Sequence, residues 1–90
     1  MSAYQAPLKD ISFTLNQICD LDGLLSLPKF AETDRETTEA VLEEAGKLAS
    51  GILAPLNRQG DTQGSTLANG VVTTPDGFRE AYAAFRNGGW

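Results

Sequence analysis

The chain has 90 residues, 41% hydrophobic and 21% charged, with seven Lys and Arg against twelve Asp and Glu and a net charge of −5. A chain of this length is one small domain or part of a larger one, and it buries only about 60% of the surface its unfolded form exposes. With no basic cluster, no apolar run near the ~18 residues of a membrane span and no histidine, the sequence speaks against nucleic-acid binding, membrane spanning, and triad or histidine-zinc chemistry.

In chain order, Met1 to Pro7 has no basic region followed by an apolar core, so no signal peptide is expected and a cytoplasmic location is the default. Tyr4 to Lys9 reads as an extended arm, because Pro7 disfavours helix in the residue before it. Asp10 is the expected N-cap of a first helix, along which Ile11, Leu15 and Ile18 recur at i, i+4 and i+7. Leu21 and Leu25 continue that stripe across a break at Asp20-Leu21-Asp22-Gly23, and Phe13 and Leu24 widen it. Leu24 to Phe30 reads as an apolar turn or short helix interrupted at Pro28.

The second helix carries the clearest start signal. Thr33-Asp34-Arg35-Glu36 has the spacing of a capping box, in which Thr33 and Glu36 satisfy each other's backbone donors. Val41, Ala45, Leu48 and Ile52 form one stripe with Leu42, Ala49 and Leu53 beside it, while Glu39, Glu43 and Lys47 face out. The helix is predicted over about 34–53, with Pro55 as its stop. Gln59 to Ser65 is polar and glycine-rich and reads as a loop. Thr66 to Thr73 reads as a hairpin whose Asn69-Gly70 supplies the two positive-φ residues of a type I′ turn, and it should lean on the helices because an isolated hairpin is marginal in water. Thr74-Pro75 offers an N-cap and a first-turn proline for a third helix over about 75–87, ended by Gly88-Gly89. Phe78, Tyr82 and Phe85 share one face of it, with Ala81 beside them.

Several constellations invite chemistry and read better as structure. Asp20-x-Asp22-Gly23 fails as a calcium loop, because the sixth position is Leu25 and the twelfth is Ala31. Gly60 to Gly64 lacks the lysine of a P-loop and precedes a hairpin, so a plain turn is expected. Cys19 adjoins an apolar stripe and is expected as a small buried hydrophobe. The pairs Asp20 and Asp22, and Glu43 and Glu44, read as a helix break and a solvated face. The Phe78, Tyr82, Phe85 stripe reads as core, with a ligand channel as the alternative. No catalytic, cofactor-binding or metal-binding residue is assigned.

Five ordered stretches carry a family resemblance. They are Tyr4-x-Ala6-Pro7-Leu8-x-Asp10-Ile11-x-Phe13-x-Leu15-Asn16; Glu43-Glu44-Ala45-Gly46-Lys47; Ala54-Pro55-Leu56-Asn57-Arg58-x-Gly60-Asp61; Gly70-Val71-Val72-Thr73-Thr74-Pro75-x-Gly77-Phe78-x-x-Ala81-Tyr82; and Gly88-Gly89-Trp90. Together, from Tyr4 to Trp90, the chain resembles the N-terminus of FAD-dependent acyl-CoA dehydrogenases of the extended, long-chain type that includes methylthiopropanoyl-CoA dehydrogenase. The resemblance implies that residues 1–90 are the N-terminal extension and first helices of an α-helical N-terminal domain, with a middle β-barrel and a C-terminal helical bundle beyond them. In that family a carboxylate base removes the α-proton of an acyl-CoA thioester while the β-hydrogen leaves as hydride to the flavin, giving a trans-2-enoyl-CoA. The base, flavin ligands and CoA contacts lie outside the part represented here.

The expected fold is therefore mainly α, about three helices plus a short β-hairpin. The expected role is a structural or docking fragment of a flavin-dependent acyl-CoA dehydrogenase, inert alone, without a cofactor of its own and with FAD and acyl-CoA belonging to the parent enzyme. Its expected partners are the remainder of that enzyme, or further copies of itself through uncovered apolar faces. A stand-alone helical protein-interaction module derived from the same domain is the alternative, and flavin binding by these residues alone is disfavoured because phosphate-cradling motifs are absent. Just past a helix end, Asn57 and Arg58 are placed to bond exposed carbonyls or a neighbouring segment, and Asp61 to cap or to pair with Arg58.

Overall fold

A computed structural model of the protein describes residues 4–90. The fold is mainly α with one two-stranded antiparallel hairpin, as the sequence implies, but the described residues form five α-helices where about three are expected. They divide into two compact units, one of residues 5–47 and one of residues 48–90 together with Tyr4.

In the first unit, α1 spans Leu8–Phe13 and runs into a π-helical turn at Thr14–Ile18. The extended arm thus ends two residues earlier than expected, and Asp10 lies in the first turn instead of capping it. Pro7 occupies the N-cap, where its missing N–H costs nothing and its carbonyl accepts from Ile11 N at 3.0 Å. Proline restrains only the residue before it, Ala6, so nothing prevents the helix from starting at Leu8. At the π turn, Cys19 N donates to the Thr14 carbonyl at 2.9 Å, five residues back. The extra residue shifts the faces that follow. Ile18 is 69% exposed and Cys19 is exposed, so the buried position expected for this cysteine is not found.

Asp20 makes the break in the first helical region. Its φ of 52° is left-handed, and its Oδ1 accepts from Gly23 N at 3.2 Å, capping α2 (Leu21–Leu25). A single 3₁₀ turn at Pro28–Phe30 follows. Helix α3 spans Arg35–Leu48, one residue later than the capping box requires. Asp34 takes the cap, accepting from Thr37 N at 2.7 Å, while Thr33 N is taken by the Phe30 carbonyl at 3.0 Å. That shift puts Thr37, not a glutamate, three residues past the cap, so the expected pairing of Thr33 with Glu36 is not made. The Thr37 bond also holds the Asp34 carboxyl below the ordinary aspartate value. Leu8 of α1 rests against Gly46, where a Cβ would lie 3.3 Å from Leu8 Cδ1.

A second π turn, Ala49–Leu53, opens the other unit, with Ala54 N donating to the Ala49 carbonyl at 2.7 Å. Pro55 marks the boundary but does not lead into a loop. It is the N-cap of α4, Leu56–Gln63, which replaces most of the loop expected over 59–65. Two contacts offset the poor helix propensity of this stretch: Gly60 lets the Phe78 ring approach, and Gln63 Oε1 accepts from Asp76 N at 2.9 Å. The hairpin pairs β1 (Thr66–Ala68) with β2 (Val71–Thr73) in the register Thr66↔Thr73, Leu67↔Val72, Ala68↔Val71. Asn69 and Gly70 have φ of 54° and 76°, as a type I′ turn requires. All six strand residues are exposed, and Val72 and Thr73 border a depression shared with Tyr82, Ala83 and Arg86 of the last helix, so the hairpin adjoins a helix without being buried by it.

Helix α5 spans Phe78–Asn87 and begins three residues after the expected start. Pro75, Asp76 and Gly77 form a turn closed by Phe78 N on the Pro75 carbonyl at 3.2 Å, and Gly77 at φ 90° interrupts any earlier helix. Its end follows expectation, with Gly88 N bonded to the Phe85 carbonyl at 3.1 Å and Gly89 at φ 82°. Among the described residues the buried hydrophobic side chains are Leu21 in the first unit and Ala81 in the second.

Candidate functional site: an apolar groove on the last helix

The third-helix aromatic stripe does not close into a core. Phe78, Tyr82 and Phe85 of α5 stay 37%, 59% and 48% exposed, and only Ala81 between them is buried. With Leu56 of α4 and Leu53 of the preceding turn they line an open groove of about 340 Å³. The sole side-chain polar group in that lining is the Tyr82 hydroxyl.

Two glycines build the floor. A Cβ on Gly60 would stand 2.8 Å from Phe78 Cζ, and one on Gly77 would stand 2.7 Å from Leu56 Cδ2. Both gaps are filled by groove side chains, so Phe78 and Leu56 are set in place by backbone that carries nothing larger than hydrogen. The far end is extended by Trp90, stacked on Phe85 with ring centroids 6.0 Å apart and planes 11° from parallel. The sequence marked the aromatics but not Leu53 and Leu56, because a loop over 59–65 removes the helix that brings Leu56 to Phe78. Pro55 as an N-cap, with Leu56 and Gly60 four apart, was the available signal.

The other candidates read from the sequence are not assembled into chemistry. Asp20 is a cap, and Asp22 faces Arg35 at 3.7 Å with both side chains mostly exposed. Glu44 pairs with Lys47 at 2.9 Å, which together with Glu43 raises the lysine pKa. Among the described residues no group of carboxylates, cysteine or histidine could hold a metal ion. Asn57, Arg58 and Asp61 are exposed on α4. The ion pairs found among the described residues, Arg35 with Asp22 and Lys47 with Glu44, do not include the expected Arg58–Asp61 pair.

A polar cluster in the first unit went unmarked in the sequence. Ser12 Oγ donates to Glu39 Oε1 at 2.6 Å, and Asn16 Nδ2 donates to Ser12 Oγ at 3.1 Å and to Glu39 Oε1 at 3.4 Å. Those acceptors fix the amide orientation and leave the buried Asn16 Oδ1 without a donor. The cluster ties α1 and its π turn to α3.

The glycine-bearing stretch 60–64 is helical to Gln63, with Gly64 N bonded to the Gly60 carbonyl at 3.0 Å, so these amides serve the helix and are not turned outward to cradle a phosphate.

No protein-family profile matches the sequence. Over 87 residues, 97% of this chain, it is 37% identical to the 3-methylmercaptopropionyl-CoA dehydrogenase of Ruegeria pomeroyi. Over its full length it is 27% identical to a broad-specificity linear acyl-CoA dehydrogenase of Mycobacterium tuberculosis. Its homologues are acyl-CoA dehydrogenases. In each acyl-CoA dehydrogenase the matching stretch is 15% of the protein, so the chain spans a small part of the relatives it matches. None of the helices among the described residues is long and apolar enough to cross a membrane.

Proposed function

We propose that these residues form the N-terminal structural part of a flavin-dependent acyl-CoA dehydrogenase, docking against the rest of that enzyme and taking no part in the chemistry themselves. The observation that carries this reading is the combination of matches over 97% and 100% of the chain to 15% of two acyl-CoA dehydrogenases with a fold whose apolar side chains are mostly uncovered. In this reading the dehydrogenation of an acyl-CoA to its trans-2-enoyl product belongs to the remaining sequence, as do the flavin and the catalytic base. The polar row on α4 supports the same role. Asn57 and Asp61, one helical turn apart, are exposed on a helix whose Leu56 and Gly60 pack toward α5, and they suit hydrogen bonding to a neighbouring segment.

The test is a chimera in which this chain replaces the matching stretch of the Ruegeria dehydrogenase. Asn57→Ala with Asp61→Ala should lower the melting temperature of the chimera and loosen its bound flavin. Unchanged melting and flavin content would remove the docking role from this row.

A further inference from the structure

Two depressions of the second unit meet along Phe78 and Tyr82, which line both. One is the apolar groove of about 340 Å³. The other, of about 880 Å³, is bordered by β2 and α5 and carries Arg79 and Arg86. These arginines stand three residues before and four after Tyr82, so they share its face of the helix. Neither belongs to the ion pairs found among the described residues. Two carboxylates border the same depression. Asp76 engages Gln63, its Oδ1 accepting from Gln63 Nε2 at 3.4 Å, and Glu80, two residues from Tyr82, does not share that residue's face. One helix thus sets an apolar trough beside a cationic rim, with the Tyr82 phenol between them.

We infer that this surface binds a single-chain anionic amphiphile, its alkyl chain lying along Leu53, Leu56 and Phe85 and its carboxylate drawn to Arg79 and Arg86. The trough itself offers only the Tyr82 hydroxyl to orient a ligand, so orientation has to come from the arginines, and an anion at the end of a chain supplies the matching group. Size agrees. An apolar cavity of roughly 150 Å³ takes a six-carbon ring, so the trough has room for about ten to twelve carbons. Its floor is preformed, because Gly60 and Gly77 set Phe78 and Leu56 in place, and a ligand need not open it. A bilayer surface suits it less: the trough is concave, and a chain of net charge −5 is repelled by anionic lipid. Asn57 and Asp61 line neither depression, so this site and the docking row stand or fall separately.

Trp90, the single tryptophan, stacks on Phe85 at the end of the trough and reports its occupancy by fluorescence. The 90-residue chain is titrated at neutral pH with octanoate, decanoate, dodecanoate and tetradecanoate below their micelle concentrations, and with decan-1-ol and decyltrimethylammonium. A fully enclosed methylene strengthens binding about fourfold, so in a trough open on one side the expected gain is about twofold per methylene, levelling off past about twelve carbons. Decanoate should bind about fivefold tighter than decan-1-ol, the upper range for a charge pair open to water, and tighter still than the trimethylammonium. In Arg79→Gln with Arg86→Gln that preference should vanish while decan-1-ol binds as before, and Arg79→Lys with Arg86→Lys should keep it. No saturable change with any carboxylate, equal affinity for the three head groups, or a preference that survives loss of both arginines would overturn the inference. Emission that shifts only with phosphatidylglycerol vesicles would give the surface to a membrane, and emission that follows protein concentration without ligand would give it to a second copy; either result overturns it.

Discussion

Gly77→Ala is the sharpest test of how the second unit is built. Gly77 has φ 90° as the N-cap of α5, a conformation that costs an L-residue about 1–2 kcal/mol. The added methyl would also stand 2.7 Å from Leu56 Cδ2. Forcing extra carbon into a packed site costs about 1–3 kcal/mol, and because the obstructing atom is the tip of a rotatable side chain the lower end applies. The sum is about 2–3 kcal/mol, against the roughly 3–5 kcal/mol that the core of a unit below about 70 residues, such as the one holding Gly77, supplies. Urea unfolding of the 90-residue chain, followed by far-ultraviolet circular dichroism, should therefore show the variant losing most of its folded baseline. Two further variants separate the contributions. Gly70→Ala, at φ 76° with nothing within 4 Å of the new Cβ, should show the backbone cost alone. Adding Leu56→Ala to Gly77→Ala should cost less than the two single changes together, because the methyl then meets no side chain. A Gly77→Ala protein as stable as the original, or a strictly additive double variant, would refute this account of the groove floor.

Leu21→Ala should destabilise the first unit by about 2 kcal/mol, the lower end for a leucine in a core, since Leu21 is 9% exposed in a thin core. Ile18→Ala, at 69% exposure, should stay within about 0.5 kcal/mol, and equal losses in urea titrations would show that the stripe is buried as a whole. The Asp34 carboxyl is held below its ordinary value by the Thr37 bond, so its contribution to stability is complete above the unfolded aspartate pKa and disappears as pH falls through the lower folded one. Its carboxyl carbon should titrate by NMR with a midpoint below 3.8, and Asp34→Asn should weaken the acid sensitivity of α3 while keeping a cap. A midpoint at or above that value would contradict the capping geometry.

Much of the fold was legible, and the failures share a cause. Hydrophobic spacing located the helical regions, and residues close in sequence the Asp20 break and the Asn69-Gly70 turn, while the expected caps Asp10, Thr33 and Thr74 gave way to Pro7, Asp34 and Gly77. Helix α4 was not legible, because a glycine in its middle and a proline before it argue for a loop until Phe78, eighteen residues on, is seen against Gly60. The start of α5 moved for a similar reason, with Gln63 taking the Asp76 N–H. Two π turns displaced faces that a 3.6-residue period assigns to the interior, which is how Cys19 came to be exposed. The aromatic stripe was visible in the sequence, but whether it closes on itself depends on atoms outside the stripe. Here it does not.

As a structural part of an acyl-CoA dehydrogenase, the role proposed for it, the chain is needed by the enzyme without performing its chemistry. The most direct measurement is flavin bound per polypeptide, with acyl-CoA-dependent bleaching of that flavin, in the Ruegeria dehydrogenase with its matching stretch intact, deleted, or replaced by this chain. The expected result is that replacement retains flavin and bleaching close to the intact protein, that deletion loses both, and that the 90-residue chain alone binds no flavin. A deleted form as active as the intact one, or flavin bound by the 90 residues themselves, would contradict it.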